Sequence, residues 1–322
     1  MNPLLRAEEA VPVQKFFAPY TFSVSPLAGV LIGQGEEIVY LNETDETYLS
    51  QLLWDLKPLV YFGSVLDFSL INPREGPGFF ASLSMKFGLP MMTGIMEDRD
   101  WITHPDWNPD GDLTNYSASN VSGDGAFMFD ILSGASFPIR SAATGKAYLG
   151  LSYMRFKWTG QDGYYHYGVS HNSGDYYEPV KDSDPFFSLT GPVIAYSQEW
   201  LLVFAGLSAS VYVIPKTTLT LSFQGSPFLW YTGLDNHLLT KAQYRDQITL
   251  GLYLEPGGSI VFSPTEKFSL GFNISWRYIK GNHGEDKVKQ TGTGDYDYTL
   301  LGNIAGAGYQ ALDLSFSAAI RF

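Results

Sequence analysis

The chain has 322 residues, with 20 Lys and Arg against 33 Asp and Glu, no Cys, and 16% aromatic residues. A hydrophobic content of 45% excludes an intrinsically disordered chain, and the lack of Cys excludes a disulfide-stapled scaffold and a Cys-ligated zinc module. The formal charge of -13 argues against nucleic acid as a partner, because phosphate binding depends on clustered Lys and Arg.

The first residues and the hydropathy narrow the class of protein further. Residues 1–16 lack the apolar stretch of about 7–15 residues that marks a signal peptide, and we expect them to be a poorly ordered leader of the mature chain. The longest candidate for a membrane-spanning helix, Trp200–Pro215, falls short of the roughly 20 apolar residues required. We therefore predict a single domain over residues 1–322 without a transmembrane helix.

Alternation of apolar and polar residues with a period of two marks predicted strands along the chain. In Phe79–Leu89 and Phe268–Tyr278, one face is apolar or aromatic and the other is small or polar. The polar face carries Lys86 and Arg277, which suits a watery lumen, and the apolar face suits lipid. The last segment, Leu312–Phe322, alternates up to a terminal aromatic residue, which resembles the assembly signal of bacterial outer-membrane barrels.

Two kinds of connection separate these predicted strands. Short, Pro-marked connections lie at residues 72–77, 214–216 and 263–266. Longer acidic or aromatic connections lie at residues 35–46, 97–120, 161–185, 235–244 and 281–306. Because five long connections at one end imply ten strands, we predict an all-β, ten-stranded antiparallel transmembrane barrel of the outer-membrane type with long extracellular loops. An ordinary antiparallel sheet is the alternative.

Two acidic residues follow the strand that begins at Phe79. Asp98 and Asp100 keep the even numbering of Lys86, so unbroken alternation turns both side chains inward at the top of the barrel. Two carboxylates on one face compete for a proton, and we expect one of them to have a raised pKa. A solvated acidic loop and a calcium-binding loop are the alternatives for this motif taken alone.

An aspartate and a histidine share a face later in the chain. A carboxylate beside an imidazole orients the ring and stabilises its protonated form, so Asp235 and His237 form a candidate general base. Their odd numbering is that of Leu221, which would point them outward. We predict a one-residue bulge near residues 225–227 that turns them inward. We expect the other histidines to be solvated loop residues: His104, His166, His171 and His283.

Several segments resemble the omptins, ten-stranded outer-membrane endoproteases of Gram-negative bacteria. Met96–Trp101 is similar to the omptin pattern Met-x-Asp-x-Asp-Trp, and Asp235–His237 is similar to its Asp-x-His. Further similar pieces are Glu37–Tyr40, Ser50–Trp54 and Gly306–Gly308. The similarity runs over nearly the whole chain, and the two catalytic motifs together are more specific than either motif alone.

The resemblance implies hydrolysis of a peptide bond by an activated water, without an acyl-enzyme. In that mechanism His237 takes a proton from water held between it and Asp98, and Asp235 orients His237. Asp100 supports the acidic couple opposite. Such a general base contributes about 10²–10⁴-fold to the rate. We expect no cofactor and no metal, because one His with three Asp lacks the two or three His that are usual in catalytic zinc sites.

The resemblance also implies how a substrate is chosen. The family lines its pocket for a basic residue with two acids; Glu37 matches one of them, whereas Gly233 stands in place of the other. A single carboxylate still attracts Arg or Lys but discriminates less, so we expect cationic peptide or protein substrates with a basic or broadened preference. The negative charge of the chain would steer such substrates towards it.

Omptins bind lipopolysaccharide through a Tyr-x-Glu-x-Arg strand pattern and nearby basic residues. By this resemblance Tyr153, Lys157 and Arg245 are candidate lipopolysaccharide contacts, and the lipid is a candidate activator. Arg155 stands where the family has Glu, which reverses the charge. The alternative is ordinary snorkelling of Lys and Arg at a membrane interface.

The combined interpretation is a monomeric outer-membrane endopeptidase whose site faces the cell exterior and whose barrel contacts outer-membrane lipid. An omptin-like barrel without protease activity, serving as an adhesin or surface-binding protein, is the main alternative. A passive porin is a third interpretation, and single-channel conductance would discriminate it.

Overall fold

A computed structural model describes residues 20–44, 46–70, 77–140, 143–171, 176–291 and 297–322 of the chain. The predicted leader at residues 1–16 lies outside the described residues, as does most of the predicted turn at residues 72–77. The described part of the chain contains no helix that is long and apolar enough to cross a bilayer.

Strands account for most of the described residues, and sixteen of them are present. In chain order they are β1 (Tyr20–Tyr40), β2 (Tyr48–Leu70), β3 (Gly78–Gly88), β4 (Met91–Asp100), β5 (Asn115–Arg140), β6 (Ala143–Tyr167), β7 (Ser170–His171), β8 (Tyr176–Tyr177), β9 (Phe186–Ile214), β10 (Thr217–Ser226), β11 (Leu229–His237), β12 (Ala242–Ile248), β13 (Gly251–Phe262), β14 (Phe268–Gly281), β15 (Gly284–Gln290) and β16 (Thr299–Arg321). The strands β7 and β8 pair only with each other.

The remaining strands close into a ring of ten barrel strands. Short interruptions divide four barrel strands into the pairs β3/β4, β10/β11, β12/β13 and β14/β15. Around the ring the order is β1, β2, β3/β4, β5, β6, β9, β10/β11, β13/β12, β14/β15 and β16, and every neighbouring pair is antiparallel. The ring is closed by β1 against β16, for example where Gly33 lies opposite Ala311. The predicted ten-stranded antiparallel barrel is therefore confirmed.

The barrel strands run well beyond the length that a bilayer requires, and they extend into the predicted loops. A transmembrane strand needs about 9–11 residues, whereas β9 has 29. At the end of the barrel where β1 finishes, the connections are confined to residues 41–47, 101–114, 168–185, 238–241 and 291–298. The predicted bounds of the long loops were wrong, because strands that rise above the lipid bury no apolar outer face and so lose the alternation that identifies them.

The short connections at the other end lie close to their predicted positions. They occupy residues 215–216 and 263–267, and the third predicted turn falls between the end of β2 at Leu70 and the start of β3 at Gly78. A fourth connection joins β5, which ends at Arg140, to β6, which begins at Ala143, and it was not predicted from the sequence.

The two faces of the barrel differ as the alternation predicts. Outward side chains of the lower barrel are apolar and exposed, with Leu221 at 64% and Phe316 at 69%. Inward side chains there are polar and paired, as in the ion pair of Lys86 Nζ with Asp313 Oδ2 at 2.6 Å. An apolar outer band around a polar lumen is the arrangement of a barrel that crosses a lipid bilayer.

Above this polar lumen, a layer of aromatic side chains fills the barrel. Trp54, Trp158 and Trp200 are fully buried there. Tyr196 stacks on Trp54 with ring centroids 5.1 Å apart and on Trp158 at 5.8 Å. Stacked aromatic rings of this size leave little open lumen, so the layer forms a floor on which the upper part of the barrel holds its polar residues.

Candidate active site

A bulge between β10 and β11 sets the direction of Asp235 and His237. Residue Gly225 lies opposite Ala205 of β9, and Leu229 lies opposite Leu202. Four steps on β10 and β11 therefore match three steps on β9, which is the one-residue bulge predicted near residues 225–227. Odd-numbered residues face lipid in β10 and the lumen in β11, so Asp235 points inward.

Asp98 also faces inward, but by a route that simple alternation does not describe. Inward residues are even-numbered at Lys86, whereas in β4 Met92 is exposed and Thr93 is buried. A register shift between Met92 and Gly94 then restores the even numbering. Asp98 therefore points inward, as predicted. The prediction assumed an alternation without interruption, and that assumption was wrong.

His237 and Asp235 form a hydrogen-bonded pair on β11. Nε2 of His237 lies 2.7 Å from Oδ2 of Asp235, whose side chain is 2% exposed, while that of His237 is 34% exposed. Burial disfavours the charged imidazole, but the charge and hydrogen bond of Asp235, together with the charges of Asp98 and Asp100, outweigh burial and raise the pKa of His237. The pair therefore presents an oriented imidazole to the open end of the barrel.

Asp98 and Asp100 lie on the facing wall. Ser117 Oγ donates to Asp98 Oδ2 over 3.5 Å, and Asn115 Nδ2 donates to Asp100 Oδ2 over 3.3 Å. Loss of surrounding water raises the pKa of both carboxyls, and the charge of Asp100 raises that of Asp98 further. Under these conditions two carboxyls can share a proton. The sequence predicted a raised pKa for one of the two carboxyls, and in the structure the pKa of both is raised.

The two pairs act on each other across the barrel. The strands β4 and β11 are four places apart in the ring of ten, with β5, β6 and β9 between them, and so lie on nearly opposite walls. The negative charges of Asp98 and Asp100 both raise the pKa of His237. All four predicted catalytic residues therefore meet in one groove at the upper end of the barrel.

Three further acids lie beside this groove. Glu37 of β1 is 4% exposed, and its Oε2 atom has no hydrogen-bond partner among the described residues. Burial raises its pKa well above the ordinary value, and so do the charges of Asp235, Asp246, Asp286 and Asp98, in decreasing order. Glu37 was predicted at the site, whereas Asp246 and Asp286 were missed.

Asp246 could not be predicted at the site because the interruption between β12 and β13 reverses the direction of the side chains. Even-numbered residues of β13, such as Leu252, face outward, and unbroken alternation would also turn Ile248 and Asp246 outward. In the structure Ile248 and Asp246 are buried, because the direction reverses at residues 249–250. Asp286 fell within a predicted loop and lies instead in β15.

Gly233 lies beside Asp246, and a side chain at this position would collide with Tyr231 unless Tyr231 moved. It is the cross-strand neighbour of Asp246, which in turn lies opposite Asp286 of β15. A Cβ at position 233 would overlap the Tyr231 hydroxyl and lie 3.3 Å from Cβ of Asp246. The space that an acid at position 233 would need is therefore taken by Tyr231 and by the Asp246 side chain next to it.

A family model shows to which protein family this chain belongs. A family model described as "Omptin family" matches residues 18–322. The chain belongs to the omptin family. No curated protein matches this omptin in sequence.

Solved structures agree with this membership at the level of the fold. The outer membrane protease OmpT from Escherichia coli superimposes with a TM-score of 0.78 at 18% identity, covering 94% of this chain and 97% of that chain. The superposition on OmpT thus shows that the omptin chain is an outer-membrane β-barrel in fold. The translocator domain of the autotransporter NalP from Neisseria meningitidis gives a TM-score of 0.37 at 7% identity, covering 96% of this chain and 90% of that chain.

The predicted lipopolysaccharide residues lie on the outer face of the omptin barrel. Lys157 and Arg245 are exposed and Tyr153 is half-buried. Lys157 lies opposite Ser197, Ser197 opposite Leu234, and Leu234 opposite Arg245. The two basic residues are therefore on one row, three strand spacings or about 14 Å apart.

The reversed charge at Arg155 is matched on the neighbouring strand. Arg155 lies opposite Glu199, and its Nε atom is 3.0 Å from Glu199 Oε1. The Tyr153 hydroxyl donates to Glu199 Oε2 over 3.2 Å. A Tyr, an Arg and a Glu are thus still grouped on this face, with the acid on β9 instead of β6.

The other histidines lie outside the groove. His104 and His171 both stack on Trp107, with ring centroids 4.1 and 4.3 Å from the ring centroid of Trp107. His166 stacks on Phe186, and His283 stacks on Tyr40. The prediction of a loop position is wrong for His166, which lies in β6, and all four side chains are half-buried instead of fully solvated.

Proposed function

We propose that this omptin is an outer-membrane endopeptidase that hydrolyses peptide bonds with a water molecule activated by His237. The observation that carries the proposal is the position of the His237–Asp235 pair opposite Asp98 and Asp100. An oriented imidazole that faces two protonatable carboxyls across an open groove is suited to binding water on one side and a polarised carbonyl on the other.

The proposed chemistry uses four side chains. The nitrogen of His237 that does not contact Asp235 takes a proton from water held towards Asp98. The hydroxide formed attacks the carbonyl carbon of the substrate, and Asp235 stabilises the imidazolium. The proton then passes to the amide nitrogen as the carbon–nitrogen bond breaks, which restores neutral His237. Asp100 shares the proton of Asp98 and so keeps that side of the groove near neutral charge.

The position of the groove supports a site that faces the cell exterior. The groove lies beyond the apolar outer band, at the end of the barrel that bears the longer connections. Outer-membrane barrels place their longer loops outside the cell. A peptide or protein in the surroundings of the cell would therefore reach His237 without crossing the membrane.

The test is cleavage of a quenched fluorescent peptide library, with Arg, Lys or neutral residues flanking the scissile bond, by refolded protein. We expect cleavage by the unchanged chain, loss of about 10²–10⁴-fold in His237→Ala, and nearly full activity in His166→Ala, which alters a histidine outside the groove. Equal activity of His237→Ala and the unchanged chain would refute the assignment of the base.

Absence of cleavage by a folded barrel would favour the alternative of an adhesin or surface-binding protein. The retention of Asp98, Asp100, Asp235 and His237 in one groove weighs against that alternative, because binding a surface does not require a paired imidazole. Cleavage lost on addition of a chelator would instead point to metal-dependent hydrolysis.

We also propose that the outer row of Tyr153, Lys157 and Arg245 contacts lipopolysaccharide. Its phosphates would lie against Lys157 and Arg245, which share one row of the barrel. The measurement is the cleavage rate with and without added lipopolysaccharide. We expect stimulation of the unchanged chain and weaker stimulation of a variant with Lys157→Ala and Arg245→Ala, and equal stimulation of both would contradict the proposal.

A further inference from the structure

Aromatic side chains line the groove on the strands that lie between β4 and β11. Tyr165 of β6 lies opposite Ser117 of β5, whose hydroxyl donates to Asp98. Phe187 of β9 lies opposite Tyr165 in turn. Because cross-strand partners in an antiparallel sheet share a face, Tyr165 and Phe187 point into the groove as Asp98 does. Tyr167 follows Tyr165 by two residues and shares this face. We call Tyr165, Tyr167 and Phe187 the aromatic wall.

The three rings of the aromatic wall contact each other and leave part of Phe187 open. Tyr165 stacks on Phe187 with ring centroids 5.0 Å apart, and the rings of Tyr165 and Tyr167 are 4.8 Å apart. Tyr177 of β8 meets Tyr167 edge-on, with centroids 6.0 Å apart. Phe187 is still 47% exposed, although it faces the groove and not lipid. Exposed apolar surface in a groove marks a binding site, because covering it removes that surface from water.

The aromatic wall stands at the end of the groove that lies away from Glu37. In the ring, β5, β6 and β9 join β4 to β11 on one side, whereas β1, which carries Glu37, lies among the strands on the other side. Tyr165 is two strand spacings from Asp98, or about 10 Å. An extended peptide covers about 3.3 Å per residue, so a substrate cleaved between Asp98 and His237 reaches the aromatic wall within three residues.

The chemistry of the aromatic wall favours an apolar partner. It contains no Asp, Glu, Lys, Arg or His, and neither does the next pair below it on this face, Gly163 with Leu189. The charges of Asp98 and Asp100 act on Tyr167, but burial raises the pKa of both carboxyls, so the pair holds less than its full negative charge. An apolar side chain meets such a surface without giving up a hydrated charge.

We propose that the aromatic wall binds an apolar or aromatic side chain of the substrate within three residues of the cleaved bond, on the side away from Glu37. The inference rests on the proposed peptidase function. Glu37 is expected to contact the residue before the cleaved bond, so the side chain at the aromatic wall follows that bond. Tyr165, Tyr167 and Phe187 are then specificity-determining residues, because their rings and the bound side chain exclude water from each other.

The first experiment compares kcat/KM for peptides that share one Arg before the cleaved bond and carry Phe or Ala at the first, second or third position after it. At one of these positions we expect Phe to be preferred over Ala about 10- to 100-fold, the gain from burying one aromatic side chain. Phe187→Ala should reduce this preference to less than about threefold. Phe187→Leu keeps an apolar side chain and should retain most of it.

The matched control is Phe186→Ala. Phe186 precedes Phe187 on β9, lies opposite His166 and stacks on it, and is 62% exposed on the outer face. This variant removes the same ring from the other side of the strand, so we expect the preference for Phe over Ala to stay unchanged. An equal loss in Phe186→Ala and Phe187→Ala would show that a change in β9 itself causes the effect, and it would overturn the inference.

A guanidinium group also stacks on aromatic rings, so the same peptides are prepared with Arg in place of Phe. A preference for Arg over Phe that Phe187→Ala removes would show that the aromatic wall binds a cation, and it would overturn the inference. Tyr167→Phe keeps the ring without its hydroxyl, so we expect it to retain the preference for Phe. Loss of that preference would show that a hydroxyl, and not apolar surface, selects the substrate.

A binding experiment separates this inference from the peptidase proposal. The Phe and Ala peptides are titrated calorimetrically into His237→Ala and into His237→Ala combined with Phe187→Ala, after circular dichroism has shown both barrels to be folded. We expect the Phe peptide to bind at least about 10-fold more tightly than the Ala peptide, and only when Phe187 is present. Such binding without any cleavage by the unchanged chain would refute the peptidase and leave the aromatic wall as a binding site.

The opposite outcome counts against the inference alone. Cleavage by the unchanged chain with no preference for Phe at any of the three positions would overturn it while the peptidase stands. A preference for Phe that Phe187→Ala leaves intact would overturn it as well. If Phe187→Ala fails to fold, Tyr165→Ala is measured in its place and decides.

Discussion

At the scale of single residues, burial decides what the acids of the groove can do. Asp235 is buried against His237, and its charge and hydrogen bond, together with the charges of Asp98 and Asp100, outweigh the burial of the imidazole, so the pKa of His237 is raised. Asp98 loses water without gaining a cation of equal strength, so its pKa is raised as well. Carboxyls of one chemical type thus take different roles because their partners differ.

This difference predicts how activity depends on pH. A general base works when neutral, so peptide cleavage should fall as the pH drops through the raised pKa of His237. In Asp235→Asn the main cause of the raised pKa is gone, so the acidic limb of kcat/KM should move to lower pH. The maximal rate should also fall, about 10²–10⁴-fold, because the imidazolium loses its partner. The measurement is the pH profile of kcat/KM, and an unmoved acidic limb would contradict the ion-pair assignment.

At the scale of the strands, short irregularities point the catalytic side chains inward. Gly94 has a φ of 131°, which favours glycine, and a Cβ there would lie 2.5 Å from Oδ2 of Asp55. The register shift beside it lets Asp98 face the groove. On the opposite wall, the bulge before Leu229 does the same for Asp235. Irregular pairing is therefore part of how the site is built.

The role of Gly94 can be separated from its backbone strain with a matched glycine. Gly125 has a φ of 136° and open space where a Cβ would lie. We expect Gly125→Ala to cost about 1–3 kcal/mol of stability through strain alone and to leave kcat nearly unchanged. Gly94→Ala adds a clash with Asp55, so it should lose more stability and also lower kcat by displacing β4. Measuring unfolding in detergent with kcat checks this, and equal effects would contradict it.

At the scale of the whole molecule, closure of the ring joins distant parts of the chain. Glu37 of β1 comes near Asp286 of β15 because β16, between them in the ring, pairs with both strands. Below the groove, the aromatic layer that includes Trp54 and Trp158 fills the lumen. The upper groove and the lower polar lumen are therefore separate compartments of one barrel.

This filled lumen predicts that the barrel conducts no ions. We expect planar bilayer recordings of the refolded protein to show no regular conductance steps under conditions in which an open porin gives them. The physical reason is that buried, stacked aromatic rings leave no continuous column of water. Regular steps from a pure preparation would support the passive porin instead.

The sequence alone determined the features that depend on neighbouring residues. Period-two alternation revealed the strands, because side chains of a strand alternate between two faces wherever one face meets lipid, and the five longer connections indicated that there are ten. Residues two apart share a face, so the groupings of Asp98 with Asp100 and of Asp235 with His237 could be predicted. Strand ends could not, because above the membrane the outer face meets water and the alternation fades.

Only the tertiary structure decided what depends on pairing between strands. Asp246 and Asp286 join the site because the register of β11, β12 and β15 aligns them with Gly233, and this register is not visible in a single stretch of sequence. A shift of one residue between strands exchanges the lumen and lipid faces. Each interruption of a strand can therefore reverse the side-chain direction that is predicted from the sequence around it. The four catalytic candidates were therefore found from local pattern, whereas the positions of Asp246 and Asp286 needed the closed barrel.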